Sequence, residues 1–343
     1  MAKFDYIPIL RWKEGEKNAI RSLLPADKAN MTPMFLLEPE QYKVRKATKK
    51  TAAVPSADHF VAQVAAFWGK DAFYLDASGI AAPAGTQHPV IAIAAAARAH
   101  GLKLIPATPL GAPAAYTAAV AAIVQQDQEG VALRIDLQEF TSAATWAPTW
   151  PFPLAETDLI ADFGDDIGSV TKLGNIVQTV FQQLHAGKDW RTVTIAGTSM
   201  PANFAGMQQG VYTIPMETLA LWQMLHPVVP YRLDYGDYAT PPLGVIPPGI
   251  VWGYPINVRY TLVGQYLICK GVKTRGSGAV DAAVQLTGHA QTIVQQANRN
   301  RLTGCWADDE IDAIAAGASP QGLLHWVKIG VNQHLTLLRR TLP

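Results

Sequence analysis

Residues 103–136, KLIPATPLGAPAAYTAAVAAIVQQDQEGVALRID, contain the pattern that decides the fold class. A short apolar run over residues 103–108 leads through a loop into a helical pattern over residues 114–126, and a second apolar run follows over residues 131–136. Short, nearly continuous apolar runs are typical of strands in a parallel sheet that is covered on both faces. The stretch therefore predicts a β-α-β unit, in which a helix joins two parallel strands.

The same alternation of strand and helix patterns extends over the first two thirds of the sequence. The apolar runs occupy residues 6–10, 34–38, 72–76, 103–108, 131–136, 158–163, 192–199 and 229–235. The helical patterns occupy residues 16–24, 57–68, 90–100, 114–126, 168–185 and 216–225. Eight such runs predict an α/β fold, a TIM-like (β/α)8 barrel, because an open doubly wound sheet usually has a glycine-rich phosphate-binding turn that is missing from this sequence.

The remaining stretches predict additions to the barrel. Residues 138–156 and 239–255 are rich in proline and are expected to be irregular insertions. Residues 256–271, INVRYTLVGQYLICKG, predict a β-hairpin with a type II′ turn at Gly264-Gln265. Three helical patterns close the chain, over residues 279–301, 308–316 and 320–340, and the first is expected to be the eighth barrel helix. We predict a single domain over residues 1–343, with the barrel in 1–238, the loop and hairpin in 239–277 and a closing or capping helical extension in 278–343.

Composition excludes several classes of protein. The 28 basic and 27 acidic side chains give a net charge of +1, which argues against nucleic-acid binding as the main role. The 49% apolar fraction is enough for a large core. The two cysteines, Cys269 and Cys305, form no disulfide framework or zinc motif. No apolar stretch reaches the roughly 18 residues of a membrane helix, and the first residues lack a signal-peptide pattern, so a cytoplasmic protein is expected.

Acidic residues end five of the eight runs, at the positions where barrel enzymes place their chemistry. We take as candidate catalytic residues Glu38, Asp136, Asp162 and Asp234. Candidate ligand-binding residues from the same strand ends are Lys13, Asp76, Arg134, Ser199, Arg232 and Tyr235. For each carboxylate the alternative is that it caps the helix that follows.

Two Arg-x-Asp pairs, Arg134 with Asp136 and Arg232 with Asp234, are expected to point to one side of their strands. Both pairs could face the barrel mouth as ligand-binding groups, or each could be an internal ion pair. The loop over residues 42–51 has five basic residues and no acid, which predicts attraction of anions or a solvated loop. No HxH or HExxH motif is present, so a bound metal would be Mg²⁺ or Mn²⁺ held by carboxylates.

Several motifs together resemble the Beta protein family, named for a protein of a tailed bacteriophage and found scattered in bacterial genomes. They are, in collinear order from end to end, YIPILRWKEGE (residues 6–16), PMFLLEP (33–39), TSMP (198–201), LDYGD (233–237), NVRYTLVGQYLICKG (257–271) and HWVKIGVNQHLT (325–336). The resemblance implies a full-length, single-domain member near phage or mobile-element genes, and it supplies no reaction. It highlights Lys13, Glu16, Glu38, Ser199, Pro201, Asp234, Tyr235, Arg259, Tyr260, Trp326 and His334, and so adds Arg259 and Tyr260 to the ligand-binding candidates.

Two functions from different classes remain open on the sequence. The first is a barrel enzyme, a hydrolase or lyase, that acts on an anionic, phosphate-containing or nucleotide-like ligand in a phage or anti-phage defence context. The alternative is a non-catalytic barrel that serves as a sensor or adaptor and binds a phage or host protein. Its expected contact surface consists of aromatic side chains from the irregular segments, Trp146, Trp150, Phe152, Trp252 and Tyr254.

Overall fold

Eight parallel strands close into a barrel in the computed structural model of the chain, which describes residues 5–42, 56–83, 85–185, 190–244 and 255–343. The first seven are β1 (Tyr6–Arg11), β2 (Met34–Leu36), β3 (Phe73–Asp76), β4 (Leu104–Pro109), β5 (Val131–Ile135), β6 (Thr157–Asp162) and β7 (Thr192–Ala196). A further strand, β8 (Gly210–Pro215), precedes the last barrel strand, β9 (Leu233–Asp237), which pairs with both β7 and β1. The predicted TIM-like barrel is confirmed.

Helices cover the outside of the barrel between the strands. They are α1 (Glu14–Arg21), α2 (Pro25–Lys28), α3 (Ser56–Phe67), α4 (Val90–Ala99), α5 (Ala114–Asp127), α6 (Leu137–Thr141), α7 (Ala143–Trp146), α8 (Ile167–Lys172), α9 (Asn175–His185) and α10 (Glu217–Leu225). The expected irregular stretch 138–156 contains only parts of α6, the short α7 and two 3-10 turns. The pattern over 168–185 is divided into α8 and α9 at Gly174, whose φ of 49° ends the first helix.

The barrel interior is a packed apolar core. Side chains alternate along a strand, so every second residue of each barrel strand points inward. The inward-facing set includes Ile7, Ile9, Met34, Ile105, Ala107, Ala132, Ile160 and Ala196, which pack as one cluster. The small alanines leave space for the larger isoleucines, as in other filled barrels. Because the middle of the barrel is filled, polar chemistry is confined to its two ends.

Two predictions for the segment before and after β9 are wrong in detail. The eighth run was expected over residues 229–235, but the strand begins at Leu233 and ends at Asp237. The hairpin strands β10 (Asn257–Leu262) and β11 (Gln265–Lys270) form a three-stranded antiparallel sheet with β8, which the sequence did not predict because its side chains are only half-buried or exposed. Leu262 pairs with Gln265, so the turn is Val263-Gly264, and the positive φ of its second residue fits a type II turn rather than II′.

The C-terminal helices are α11 (Ala282–Val294), α12 (Trp306–Ala315) and α13 (Leu323–Thr341). The expectation that the first of them completes the barrel is wrong, because α13 packs against β1 and α1 whereas α11 packs against α12 and β10. Two glycines allow α13 to approach closely: Gly15 of α1 faces Val327, and Gly330 faces the backbone of Arg259. Within the described ranges, none of the helices combines the length and apolar character needed to cross a membrane.

Replacing Gly330 by alanine is expected to destabilise the protein by about 1–3 kcal/mol. The added Cβ would lie 2.9 Å from the carbonyl oxygen of Arg259 and 3.0 Å from Oγ1 of Thr240. Either α13, or β10 and the segment after β9, must therefore shift. Gly288→Ala in α11 is the matched control, because its Cβ meets no atom within 4 Å and alanine favours a helix by about 0.5–1 kcal/mol. Urea unfolding should show opposite signs for the two variants; the same sign in both would contradict the close packing of α13.

Candidate active site at the barrel mouth

The carboxyl ends of β3, β5 and β6 bring three predicted residues together. Arg134 lies between two carboxylates, with Nη1 3.0 Å from Oδ2 of Asp76 and Nε 3.7 Å from Oδ2 of Asp162. Both carboxylates are buried, at 5% and 8% exposed, whereas the Arg134 side chain is 26% exposed. The three side chains therefore form an acid–arginine–acid row across the mouth, and its arginine is the member open to a ligand.

Hydrogen bonds from neighbouring residues hold this row in place. Oδ1 of Asp76 accepts from the backbone N–H (2.9 Å) and hydroxyl (2.6 Å) of Ser78, and Oδ1 of Asp162 accepts from Gly164 N–H at 3.1 Å. The Tyr238 hydroxyl donates to Oδ2 of Asp162. Burial disfavours the charge of Arg134, but Asp76 and Asp162 outweigh it and raise its pKa above the ordinary value. The mouth thus contains a permanent, fixed cation.

Arg11 and Arg259 form a second basic group beside the end of β1. Arg11 donates to the carbonyl oxygen of Pro242. Arg259, half-buried on β10, donates from Nη1 to the carbonyl oxygen of Thr240 at 3.0 Å, and its guanidinium lies 5.4 Å from the Phe204 ring centroid. Burial, and then the charge of Arg11, lower the pKa of Arg259 to about 10. Within the described part of the chain neither guanidinium forms an ion pair with a carboxylate.

Glu16 is the buried acid of this basic group. It is the third residue of α1, and only 4% of it is exposed. Its Oε2 has no hydrogen-bond partner among the described residues. Burial raises the pKa of Glu16 to about 8, although Arg11 and Lys13 act in the opposite direction. Near neutral pH this carboxyl is therefore mostly protonated and able to donate a hydrogen bond.

Two further lysines complete the positive side of the mouth. Lys13 lies on the rim, where its Nζ is 3.2 Å from Oε2 of Glu38 and both side chains are substantially exposed. Lys270 of β11 is buried and donates to the carbonyl oxygen of Phe204. Because Asn257 pairs with Lys270 across the sheet and precedes Arg259 by two residues, Lys270 and Arg259 lie on the same face. The added sheet thus directs two basic side chains towards the mouth.

Asp136 does not join the mouth. β5 ends at Ile135, and Asp136 is the N-cap of α6, where its Oδ1 accepts from Glu139 N–H at 2.8 Å. The Glu139 carboxylate in turn accepts from Asp136 N–H at 2.9 Å, which completes a capping box. Asp136 is exposed, and among the described residues its carboxylate caps α6 and forms no ion pair with Arg134, which is the alternative expected for such a carboxylate.

Asp234, Arg232 and Tyr235 lie at the opposite end of the barrel from the mouth. Since β9 begins at Leu233, Asp234 is at its amino end, where its Oδ1 accepts from Arg232 Nε (2.6 Å) and Asp5 N–H (3.2 Å). Burial, opposed by Arg232, raises the pKa of Asp234 to about 6. Tyr235 points outward and packs against the rings of Tyr6 and Trp222. The expected second pair at the mouth is therefore wrong, and the alternative of an internal ion pair is what the structure shows.

Ser199 and Tyr260 are also used elsewhere. The Ser199 hydroxyl donates to the carbonyl oxygen of Pro215 at 2.5 Å and accepts from Glu217 N–H at 3.3 Å, which ties the β7 loop to α10. Tyr260 is fully buried, and its hydroxyl donates to Oδ1 of Asp308 in α12 at 2.8 Å. The structure therefore brings neither side chain to the mouth. Arg259, the neighbour of Tyr260, does reach it, because adjacent residues of β10 point to opposite faces of the sheet.

Of the aromatic side chains expected to form an adaptor surface, one is buried and two are half-buried in the described ranges. Trp146 is buried and donates from Nε1 to the carbonyl oxygen of Glu139, and Trp150 and Phe152 pack against each other and the core. Trp252, Tyr254 and the basic residues at 43–50 lie outside the described ranges. In those ranges no three His, Cys, Asp or Glu side chains are grouped to hold a metal ion.

Arg11, Tyr238 and Lys270 were not selected as site residues, and Glu16 was highlighted only by the family resemblance. Arg11 and Glu16 flank the predicted Lys13 in the opening motif, and counting strand alternation from Arg11 would have placed its side chain inside the mouth. Tyr238 directly follows β9 and points to the same side as the inward-facing residues of that strand. The sequence would have indicated this only with the correct strand boundary. Nothing in the sequence indicated the pairing that orients Lys270.

The comparisons with known proteins identify a family for this chain but no activity. The family model described as Beta protein matches residues 6–339, nearly the whole chain. Among solved structures, a match titled as catalytic-site mutants of active domain 2 of chitinase from Pyrococcus furiosus has 12% sequence identity and a TM-score of 0.35, over 59% of this chain and 75% of that chain. Similarity at that level carries no argument about this protein. No curated protein matches the sequence.

Proposed function

The chain belongs to the Beta protein family, and from the geometry of its own barrel mouth we propose that it is an enzyme acting on an anionic, phosphate-containing ligand. One observation carries the proposal. Arg11 and Arg259 meet at the mouth from β1 and β10 and, among the described residues, bond only to uncharged acceptors. Guanidinium groups form their strongest hydrogen bonds with phosphate or carboxylate oxygens, so an oxyanion would be a better partner for both arginines than these acceptors are.

The acid–arginine–acid row supplies the groups that chemistry on such a ligand would use. Arg134 can bind a second charged or polar part of the ligand, since its side chain is 26% exposed whereas both carboxylates of the row are buried. Asp162 and Asp76 are the carboxylates of the row that could serve as general bases, and the Tyr238 hydroxyl, which donates to Asp162, is the nearest hydroxyl in the network. Hydrolysis or elimination, a phage or anti-phage setting and a cytoplasmic location are parts of the same proposal. The family resemblance supports the phage or anti-phage setting, and the two buried free cysteines support the cytoplasmic location; the reaction class rests on the row alone.

A thermal-shift panel tests the binding half of this proposal. The panel contains pyrophosphate, nucleotides and sugar phosphates, each with and without Mg²⁺ or Mn²⁺. A ligand present at about one hundred times its Kd adds roughly 2.7 kcal/mol, a Tm increase of about 5 °C in a domain of this size. We expect at least one such shift, and we expect Arg259→Gln to abolish it because the paired guanidinium is lost.

Lys103→Gln is the matched control, because it removes one positive charge at the amino end of β4, on the opposite side of the barrel. This variant should keep the full ligand-induced shift. A panel without any shift for the wild-type protein, or an equal shift in Arg259→Gln, would contradict the proposal. A flat panel would instead direct attention to the adaptor alternative and to capture of a phage or host protein.

A further inference from the structure

We infer that Glu16 is a ligand-binding residue that works as a neutral acid, donating a hydrogen bond from its protonated carboxyl to the oxyanion held by Arg11 and Arg259. The inference rests on the proposed function and names the protonation state that the site requires. Binding of the oxyanion to Glu16 forms and breaks no covalent bond other than the O–H bond of the carboxyl. If Glu16 is ionised before the ligand arrives, one proton is taken up from solvent and stays on the carboxyl oxygen that faces the anion.

The first support is the orphaned oxygen of Glu16. A buried polar atom without a hydrogen-bond partner costs roughly 1–3 kcal/mol, and such atoms are uncommon in folded proteins. Oε2 of Glu16 is such an atom among the described residues, and only 4% of Glu16 is exposed. No described lysine or arginine approaches closely enough to form an ion pair with it, even though three of them influence its charge. A ligand oxygen would supply the missing partner.

The second support is the charge around Glu16 on each packed element. Arg11 of β1, Lys13 of the following turn and Arg259 of β10 are positive neighbours, and Glu38 after β2 is a negative one. On α3, His59 and Gln63 are directed to each other, and Gln63 also accepts from Trp12 and Lys17. On α13, the residues beside Gly15 are the apolar Leu324 and Val327, while His325 is bonded to Glu310 and Lys328 lies over the ring of Trp306.

These neighbours make the neutral and ionised forms of Glu16 behave oppositely towards an anion. A neutral carboxyl leaves the charges of Arg11 and Arg259 uncompensated and offers a donor, so an oxyanion is attracted. An ionised carboxylate partly neutralises both arginines and repels the ligand. Since burial holds the pKa of Glu16 at about 8, the anion-binding form dominates near neutral pH and is lost as the pH rises through this value.

Sulfate is the probe that tests the inference, because it is a tetrahedral oxyanion whose own charge does not change between about pH 6 and pH 9. Isothermal titration calorimetry should show that the wild-type Kd for sulfate rises roughly tenfold from about pH 7 to about pH 9. In Glu16→Gln the amide keeps a neutral donor at every pH, so this variant should bind sulfate with little change over the same range. Glu14→Gln, on the exposed side of the same helix, should keep the wild-type profile.

Titrations of the wild-type protein in two buffers of different ionisation enthalpy give a readout that depends on no variant. Close to one proton should be taken up per sulfate at about pH 9 and close to none at about pH 6.5. An unchanged pH profile in Glu16→Gln, or no proton uptake by the wild-type protein, would overturn the role of Glu16 and leave the proposed anion site standing. If wild-type protein binds neither sulfate nor any phosphate compound at any pH, the proposed function itself fails.

Discussion

Replacing Asp237 by asparagine is expected to lower the free energy of unfolding by about 3–5 kcal/mol. Asp237 is fully buried on the outward face of β9 and accepts four hydrogen bonds. Its donors are the hydroxyls of Tyr6 (2.7 Å) and Tyr235 (2.9 Å), the backbone N–H of Ala239 (3.0 Å) and Nε2 of His334 (2.9 Å). Asparagine has one acceptor oxygen, so its amide N–H₂ would meet groups that now donate, and part of the network would lose its partners.

The same network determines how stability depends on pH. Burial raises the pKa of Asp237, but His334 and the donated hydrogen bonds outweigh it and hold the pKa below its ordinary value. A carboxyl whose pKa is lowered by folding stabilises the fold at any pH above its pKa in the unfolded chain, about 3.9. This stabilisation is lost as the pH falls through the pKa that the carboxyl has in the folded protein. The difference between the wild-type protein and Asp237→Asn should therefore shrink in acid.

Urea unfolding followed by tryptophan fluorescence measures this prediction. Asp309→Asn is the control, since this carboxylate is more than half exposed and, among the described residues, its ion pair is with the exposed Arg301. The unfolding midpoint of this variant should not move measurably. A loss below about 1 kcal/mol in Asp237→Asn would contradict the role of the network in fastening α13 to the barrel.

The network also resembles a nucleophilic triad, because Oγ1 of Thr261 lies 2.9 Å from Nδ1 of His334, whose Nε2 contacts Asp237. A hydroxyl–imidazole–carboxylate chain is the arrangement that activates a nucleophile in hydrolases. All three side chains are no more than 1% exposed, however, so no substrate can reach the threonine. The arrangement is a structural clasp between β9, β10 and α13.

Replacing Arg134 by methionine is expected to cost about 3–5 kcal/mol of stability near neutral pH. Methionine keeps the length of the aliphatic part but removes the cation that Asp76 and Asp162 share. Two buried carboxylates would then lie near each other without a counter-charge.

Urea titrations near neutral pH, with and without Asp76→Asn in the same chain, measure this second effect. Removing one of the two carboxylates should recover part of the loss, whereas additive effects would show that the row is not coupled. Arg301→Met, which removes an exposed arginine with two ion pairs in the α12 region, should leave the midpoint unchanged. If Arg134→Met is as stable as the wild-type protein, Arg134 is held at the mouth for a ligand rather than for the fold.

Much of the barrel could be predicted from local patterns, and much of its mouth could not. Seven apolar runs overlap the observed strands, because a strand buried on both faces needs a continuous apolar segment whatever its neighbours are. The eighth run overlaps β9 only in its last three residues, and this small shift moved Asp234 from the predicted mouth to the opposite end. Side-chain direction depends on where alternation starts and stops, so a boundary error of a few residues changes the end or side to which a residue is assigned.

The sequence by itself determined the fold class, the order of the parallel strands, the hairpin and the family, since each depends on short-range periodicity or on collinear motifs. Tertiary structure alone decided which charges meet. Arg11 and Arg259 are far apart in the chain, and β8 turns the hairpin into a sheet that faces the mouth. The burial that raises the pKa of Glu16 also exists only after α1 has packed between the barrel and α13. Local patterns cannot encode these contacts, because they arise from strand closure and helix packing across hundreds of residues.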